Sequence, residues 1–286
     1  KEGGWYTMIE ATGIRKYLPL IFKTVFVVIA LMLMYIPVFV IIYQSFNSDA
    51  NAMQALHFGK FTFKNYKEIF TNAKLYRNIL DSLLVSFWAT AIATTLGLFS
   101  SIGINALTGK AKKAMNFLNE MPMMQSEIVT GVSIMIIFSL LLPIIPHVFG
   151  FPTMLIAHVF FTTPYVIMMV LPKLQQTDES LFEAAQDLGC SPIKSLFKVI
   201  IPSLQTAIMT GALLAFTLSI DDFVISYFTQ GNGFYNFSNY VYNSYTKKNF
   251  SAGSYAYNAL LTMITLAIVL FISIKTSKKG KKKVAK

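Results

Sequence analysis

Three carboxylates lie in or beside stretches of the chain that otherwise carry no charge. Asp221 and Asp222 are adjacent, and no other charged residue occurs between Val199 and Thr246. Glu127 stands directly before a second uncharged run. A charged side chain at the bilayer centre costs about 2.5 to 3.5 kcal/mol on insertion scales, so these groups are expected to face protein or water. Carboxylates placed in this way could line a path for a cation, or they could clamp neighbouring helices together.

A second informative segment is the polar interruption at 180–202, with the sequence SLFEAAQDLGCSPIKSLFKVIIP. Ser180 and Glu183 have the spacing of a capping box, in which each side chain bonds the backbone N–H of the other residue. Gly189 can adopt the left-handed conformation that ends a helix. The Ser-Pro pair at 191–192 has the cap-then-proline order that starts another helix, and Pro202 interrupts it. The segment predicts a helix of about two turns, a sharp stop and a second helix.

The composition places this segment in a membrane protein. Of 286 residues, 55% are hydrophobic and only 13% are charged, with a mean hydropathy of +0.56. Soluble domains usually carry about 25% charged residues. The single cysteine, Cys190, excludes an intramolecular disulfide framework, and no metal or cofactor site is predicted in this chain. The sequence contains no Walker A, H-E-x-x-H or G-x-S-x-G pattern, so no catalytic residues are predicted.

The chain has a net charge of +11. The positions of its basic residues indicate how the chain is oriented in a membrane and do not favour nucleic-acid binding. The lysine-rich tail at 275–286 directly follows an apolar segment and could contact anionic lipid. Most of the 24 Lys and Arg residues fall in segments predicted to lie inside. The positive-inside rule therefore places both termini in the cytoplasm.

The predicted fold is an all-α integral membrane protein with six spans. An amphipathic segment at 1–23 lies at the cytoplasmic interface, a membrane domain occupies 24–274, and a basic cytoplasmic tail follows at 275–286. Small residues recur at i, i+4 spacing in the second span, which lets helices approach closely in lipid. His158 is expected to bond one helix to another. The predicted spans are 24–47, 82–109, 122–143, 153–173, 205–229 and 254–274, and the small residues are Ala89, Ala93, Gly97 and Ser101.

The cytoplasmic loop at 175–204 resembles the "EAA" loop of permease subunits of type I ATP-binding-cassette importers. The likeness is carried by Glu183-Ala184-Ala185, three residues, Gly189, nine residues and then Val199-Ile200-Ile201-Pro202. The family pattern ends in Ile-x-Leu-Pro, so Val199 and Ile201 are conservative departures. The resemblance implies a coupling helix that docks in a groove of the ATPase subunit. The implied coupling residues are Leu181, Phe182, Glu183, Ala184, Ala185 and Gly189.

Two further segments are similar to spermidine/putrescine importer permeases, and specifically to the second of the two permeases. They are AFTLSIDDFVISYFTQG at 215–231 and YIPVFVIIYQSFNSD at 35–49. The resemblance implies a bacterial cytoplasmic membrane importer with a sister permease, a pair of ATPase subunits that bind ATP and Mg, and an extracytoplasmic binding protein. The substrate pathway is then predicted to include Asp221, Asp222 and Glu127, because a polyamine is a polycation near neutral pH.

Two other interpretations remain open from the sequence. The cargo could be another cation, such as a ferric complex or thiamine. Alternatively, the chain could be a partner-independent carrier or channel that uses Asp221 and Asp222 for protons or cations. The outer loop at 231–251, rich in Asn and Tyr, departs most from the family pattern and leaves contact with a binding protein undecided.

Overall fold

The computed structural model describes residues 14–50, 59–178, 180–231, 233–247 and 250–267, with side chains from residue 22 onward. Within these ranges the chain is helical, apart from turns and two isolated β-bridges. The predicted all-α fold class is confirmed. Internal contacts divide the chain into one unit that ends at Ile69 and resumes at Ser251, and a second unit spanning Phe70–Phe250.

The first unit contains helix α1 (Ile14–Ser45), most of helix α2 (Lys64–Thr71) and a helix at 253–267. In the apolar stretch of α1, residues 22–43 are exposed or half-buried, as expected for a helix surrounded by lipid, and only Gln44 and Ser45 at its end are buried. The Asn65 amide of α2 donates to the carbonyl oxygens of Ser45 and Asn47, at 3.1 and 2.9 Å. These bonds satisfy backbone acceptors that the end of α1 leaves free.

Glu68 connects α2 to the start of the helix at 253–267. Its carboxylate accepts from the Ser251 hydroxyl at 2.7 Å and from the Gly253 backbone N–H at 3.1 Å. A carboxylate at this position satisfies a free N–H and opposes the positive end of the helix dipole. The packing of the first unit therefore depends on helix-end hydrogen bonds.

The second unit begins with helix α3 and contains the functional segments. Its elements are α3 (Ala73–Ala106), α4 (Gly109–Met124), α5 (Glu127–Ser139), α6 (Phe151–Gln175), α7 (Ser180–Asp187), α8 (Pro192–Ser195), a π-helical turn (Leu196–Ile200), α9 (Ile201–Ser203), α10 (Gln205–Asp221), α11 (Val224–Thr229) and α12 (Phe237–Thr246).

Helices α3, α6 and α10 pack against one another to form the centre of this unit. The predicted small-residue stripe of α3 is buried at this interface. Val166 of α6 lies against two glycines, since a Cβ built on Gly97 would be 2.7 Å from it and one built on Gly211 would be 3.3 Å away. The close approach predicted from the spacing is confirmed. It requires glycine at position 97, where an added Cβ would force Val166 to move, and it is tight at Gly211.

Several predicted span boundaries differ from the observed helices. Three described helices are long and apolar enough to cross a membrane, or up to five if each of two sharply bent pairs forms one span. Of the predicted third span at 122–143, residues 122–124 are the end of α4 and residues 127–139 form α5, and the chain bends by 101° between these helices. Helix α3 starts before the predicted residue 82, and the predicted loop at 231–251 contains α12.

The sixth predicted span, 254–274, is described only as far as residue 267. Residues 1–13 of the predicted interfacial segment and the whole basic tail at 275–286 lie outside the described residues. The count of six spans therefore stays a prediction.

Candidate functional site

The three carboxylates singled out in the sequence line one cavity of about 380 Å³ in the second unit. Glu127 is the first residue of α5, Asp221 is the last residue of α10, and Asp222 follows it. Phe161 and Tyr165 of α6 form part of the wall. None of the described residues lining this cavity is Lys, Arg or His. We call it the acidic cavity, and its lining gives it a negative potential suited to a cation.

The pair of aspartates lies at a break that the sequence pattern did not predict. The sequence predicted one continuous helix over 205–229, but α10 ends at Asp221, and Asp222 is extended, with φ −62° and ψ 130°. Helix α11 begins two residues later at Val224. The predicted span is therefore corrected to a helix, a two-residue break and a short second helix.

Asp222 holds this break in place. Its carboxylate accepts from the backbone N–H groups of Ile225 and Ser226, at 3.3 and 2.7 Å, so it caps the start of α11. Its own carbonyl oxygen accepts from Asn236 Nδ2 at 2.5 Å. The residue is only 8% exposed. Because the Asp222 carboxylate is bonded to backbone groups of its own chain, its role is to position the cavity wall.

His158 of α6 joins the same cluster from the opposite helix. Its Nδ1 lies 2.7 Å from Ser219 Oγ of α10, and its Nε2 lies 2.9 Å from Ser226 Oγ of α11. The same Nε2 is 3.6 Å from Asp222 Oδ2. The expected helix-to-helix role of His158 is confirmed. The two serines that contact it had no sequence signal, because isolated Ser residues are common in membrane helices.

The two adjacent aspartates therefore differ in their surroundings. Asp221 is exposed to the acidic cavity, whereas Asp222, which also lines it, is largely buried in the wall. Glu127 is also exposed. Glu127 and Asp221 thus lie on one accessible surface. Asp222 fixes the shape of that surface by capping α11.

Helix α7 contains five of the six predicted coupling residues, with Gly189 just beyond its end, and lies near the far end of α3. A cavity of about 740 Å³ is bounded by Ile102 and Asn105 of α3 and by Phe182 and Glu183 of α7. Phe182 packs against the apolar cluster of α3, α6 and α10. Helix α7 is thus in contact with the centre of the second unit.

The predicted coupling residues divide between two faces of α7. Leu181, Glu183 and Ala184 are exposed, and Leu188, just beyond the helix, is 87% exposed. Ala185, like Phe182, faces inward, and it is buried. Phe182 therefore contacts its own chain, and Leu181, Glu183 and Ala184 are the predicted coupling residues on the exposed side of α7.

The two ends of α7 follow local rules, with one correction. At the start, the Asp178 carboxylate accepts from the Ser180 N–H at 3.0 Å, so Asp178 takes the capping role assigned to Ser180. Hydrogen bonds from the backbone and side chain of Ser180 lower the pKa of the Asp178 carboxyl. At the other end, Gly189 has φ +84°, and the Cys190 N–H bonds the Ala185 carbonyl. The predicted glycine stop is confirmed as a Schellman motif.

The next helix also starts as predicted. The Ser191 hydroxyl accepts from the Lys194 N–H at 3.4 Å, and Pro192 is the first helical residue. The π-helical turn and α9 then lead to Leu204, where the chain bends by 70° into α10. Leu204 is fully buried and fixes this bend to the apolar cluster.

A helical membrane unit with an acidic cavity and an exposed short helix at one end has the architecture of a transport component. The chain belongs to the family of binding-protein-dependent transport system inner membrane components, whose model matches residues 93–280. It is therefore a multi-pass protein of the inner membrane and a transport component, and the prediction that it is not an enzyme is confirmed.

Curated relatives cover most of the chain. It is 29% identical to the spermidine/putrescine transport system permease protein PotC of Haemophilus influenzae, over 90% of this chain and 96% of that protein. It is 30% identical to PotC of Escherichia coli, over 83% and 87% of the two chains. The putrescine transport system permease protein PotI of Escherichia coli is also 30% identical, over 74% and 75%. The predicted resemblance to this permease family is confirmed.

Solved structures show the same fold. A bacterial ABC transporter involved in the import of the acidic polysaccharide alginate aligns with a TM-score of 0.70 and 14% identity, covering 93% of this chain and 97% of that one. The bacterial alginate transporter in complex with an alginate pentasaccharide-bound periplasmic protein aligns with a TM-score of 0.66 and 15% identity, covering 90% and 93%. At these identities the likeness concerns the fold alone.

Proposed function

We propose that this chain is a permease subunit of an ATP-driven importer that moves a polyamine into the cytoplasm through the acidic cavity. The observation that carries the proposal is the exposure of Asp221 and Glu127 to one cavity whose described lining contains no cationic side chain. The names of the PotC and PotI relatives indicate spermidine and putrescine as the cargo class.

The chemistry of the cavity suits a flexible polycation. A polyamine that leaves water loses the solvation of each ammonium group, and fixed carboxylates offset that cost. The aromatic rings of Phe161 and Tyr165 supply apolar contact for methylene groups and π faces for the cations. Asp221 and Glu127 are the groups that contact the cargo, and Asp222 positions them by fixing the break before α11.

ATP hydrolysis is supplied by partner ATPase subunits, which bind ATP and Mg. The exposed side of α7, with Leu181, Glu183 and Ala184, docks in a groove of the ATPase. The inward side transmits the movement, because Phe182 contacts the cluster that contains Leu204, and α10 starts at the next residue. Displacement of α7 therefore has a continuous packed route to Asp221 at the other end of α10.

The assembly contains a second permease beside this chain. Both termini of this chain are cytoplasmic, on the same side as α7 and the ATPase subunits. The extracytoplasmic binding protein delivers cargo to the opposite side.

Labelled spermidine uptake by the reconstituted complex tests the proposal. Proteoliposomes would contain this chain, the sister permease and the ATPase subunits, with binding protein supplied outside. An ion-paired hydrogen bond contributes about 1.5 to 3 kcal/mol, so Asp221→Asn is expected to lower the initial uptake rate about 10- to 100-fold. Asp221→Glu, which keeps the charge, is the matched control and retains most of the uptake.

Three results would contradict the proposal. Wild-type uptake by Asp221→Asn combined with Glu127→Gln would show that the acidic cavity is not the route. Preferential uptake of thiamine or a ferric complex would overturn the polyamine cargo. Transport by the purified chain alone under an ion gradient would identify a partner-independent carrier.

A further inference from the structure

A second cavity in the same unit has the opposite charge. It has a volume of about 600 Å³ and is lined by Lys74 and Arg77 of α3, by Lys247 after α12, and by Tyr227, Tyr235 and Tyr240. Within the described chain, no Asp or Glu lines it. We call it the basic cavity.

The three cations of the basic cavity form no close ion pair. Lys74, Arg77 and Lys247 are exposed, and none lies within 4.0 Å of a carboxylate of another described residue. Asp81, one helical turn beyond Arg77, interacts electrostatically with Arg77 from outside ion-pair distance and does not line the cavity. Three positive charges around one concave surface, with one carboxylate at longer range, produce a net potential that attracts anions and repels cations.

The walls of the basic cavity are fixed by hydrogen bonds between elements. The Phe237 N–H at the start of α12 donates to the Ser82 hydroxyl of α3 at 2.6 Å. The Asn236 side chain caps α12 through the Asn239 N–H at 2.9 Å and also bonds the carbonyl of Asp222. Helices α3, α11 and α12 are thereby held in register, so the cations are arranged before any partner arrives.

Gln230 adds an amide side chain to the lining of the basic cavity. An amide can donate from its NH₂ group to an acceptor such as a carboxylate.

The basic cavity lies at the end of α3 that is remote from α7. Arg77 is near the start of α3, whereas Asn105, near its end, borders the cavity beside α7. The separation along the helix is about 42 Å at 1.5 Å per residue, which exceeds the bilayer core of about 30 Å. If α7 meets the ATPase in the cytoplasm, the basic cavity opens on the outer side.

The lining chemistry narrows the occupant to a carboxylate-bearing protein surface. A free polyamine would be repelled by the three cations. An anionic lipid needs an aliphatic wall for its acyl chains, and no Leu, Ile, Val or Met occurs among the described lining residues. Tyrosine and amide side chains beside Lys and Arg are typical of protein interfaces that receive Asp or Glu.

We infer that the basic cavity docks the extracytoplasmic binding protein by receiving acidic side chains from its surface. The inference rests on the proposed function in one respect, which is that α7 meets the ATPase in the cytoplasm and the basic cavity therefore opens on the side where cargo is delivered. It assigns the partner contact to α12 and its flanking residues, the segment that departs most from the family pattern. The positive charge also keeps free cationic cargo away from this surface, so cargo reaches the acidic cavity from the bound protein.

Neutralising the three cations tests this inference. The Lys74→Gln/Arg77→Gln/Lys247→Gln variant would be reconstituted as the full complex in nanodiscs, and ATPase activity would be titrated with cargo-loaded binding protein. We expect the half-maximal concentration of binding protein to rise at least about tenfold, with little change in the maximal rate, because charge pairs at an interface contribute mainly to affinity and association rate. The wild-type value should rise steeply with salt, and that of the variant should rise less.

Matched variants separate docking from general damage. Lys60→Gln/Lys64→Gln removes two exposed cations that do not line the cavity and should leave the titration unchanged. Lys74→Arg/Lys247→Arg keeps the charges and should restore wild-type behaviour. ATPase activity without binding protein and co-purification with the ATPase subunits should be the same for all variants.

Two outcomes would overturn the inference. One is an unchanged half-maximal concentration in the triple variant. The other is a defect present in nanodiscs containing phosphatidylglycerol and absent in pure phosphatidylcholine, which would assign the cavity to lipid headgroups. A wild-type complex that is stimulated by its binding protein but carries a different cargo would contradict the proposed function, while the docking titration would still decide this inference.

Discussion

Helices α7 and α11 are both short, and each is preceded by an aspartate, two residues before its first residue, whose carboxylate accepts from backbone N–H at the helix start. Asp178 accepts from Ser180 at the start of α7, and Asp222 accepts from Ile225 and Ser226 at the start of α11. The surroundings differ. Ala185 is the one buried residue among the eight of α7, whereas three of the six residues of α11, Ile225, Ser226 and Thr229, are buried.

The comparison shows that the same local device has two uses. On α7 the cap organises a surface helix whose exposed side remains free for a partner. On α11 the cap is part of a buried network with His158. Its removal leaves buried polar groups with neither a protein nor a water hydrogen-bond partner. The cost of losing a cap should therefore follow burial and should not follow the cap's own geometry.

The largest expected effect is that of Asp222→Ala. The substitution leaves buried N–H groups of α11 unsatisfied, so we expect a loss of about 2 to 4 kcal/mol in the free energy of unfolding. Asp222→Asn keeps an acceptor oxygen and should lose less. Thermal unfolding of the purified chain measures both, and Asp221→Ala, at the exposed neighbour, should change stability by less than about 0.5 kcal/mol. Equal effects of the two alanine variants would refute the division of roles between the aspartates.

The exposed side of α7 should give an intermediate effect that appears in assembly. Leu181→Asp combined with Leu188→Asp places charges in the proposed ATPase contact, and we expect affinity for the ATPase subunits to fall at least about tenfold. Thermal stability of the isolated chain should be unchanged.

Phe182→Ala is the matched control on the inward side of the same helix. It should lower stability by about 1 to 3 kcal/mol through lost packing. If it weakened ATPase binding without destabilising the chain, the assignment of the two faces would be reversed.

The smallest effect is expected for the cap of α7. Asp178→Ala removes an exposed helix-start acceptor and should lower coupled ATPase activity less than about twofold. Because the pKa of Asp178 is lowered in the folded protein, its stabilisation is fully present above the unfolded pKa of about 3.9 and is lost as pH falls through the folded value. The difference in stability between Asp178→Ala and the wild type should therefore stay constant from about pH 5 to 8. A stability difference that varied in this range would indicate another titrating group.

Local signals that depend on adjacent residues were predictable from the sequence. Gly189 and Ser191-Pro192 mark helix ends because backbone conformation and capping involve only neighbouring positions. The small-residue stripe of α3 was recognisable because its period is that of a helix. The helix that packs against this stripe was not predictable, since the stripe alone does not identify the chain segment that covers it.

The break at Asp222 was not predictable. No Gly or Pro occurs between Ala212 and Gln230, so the pattern reads as one uninterrupted helix. The break exists because Asn236 bonds the Asp222 carbonyl and His158 approaches its carboxylate, and both groups come from distant parts of the chain. Helix α12 was hidden for a related reason, because its Asn and Tyr composition is also typical of loops.

The sequence by itself determined that this is a helical membrane protein, and that 180–202 contains one short helix stopped at Gly189 and another started at Ser191-Pro192. These properties follow from composition and from interactions over a few residues. Only the tertiary structure decided that Asp221 faces a cavity while Asp222 supports its wall, and that Leu181 and Phe182 point to opposite surroundings. The physical reason is burial, because the fate of a carboxylate or an apolar side chain depends on what packs against it from elsewhere in the chain.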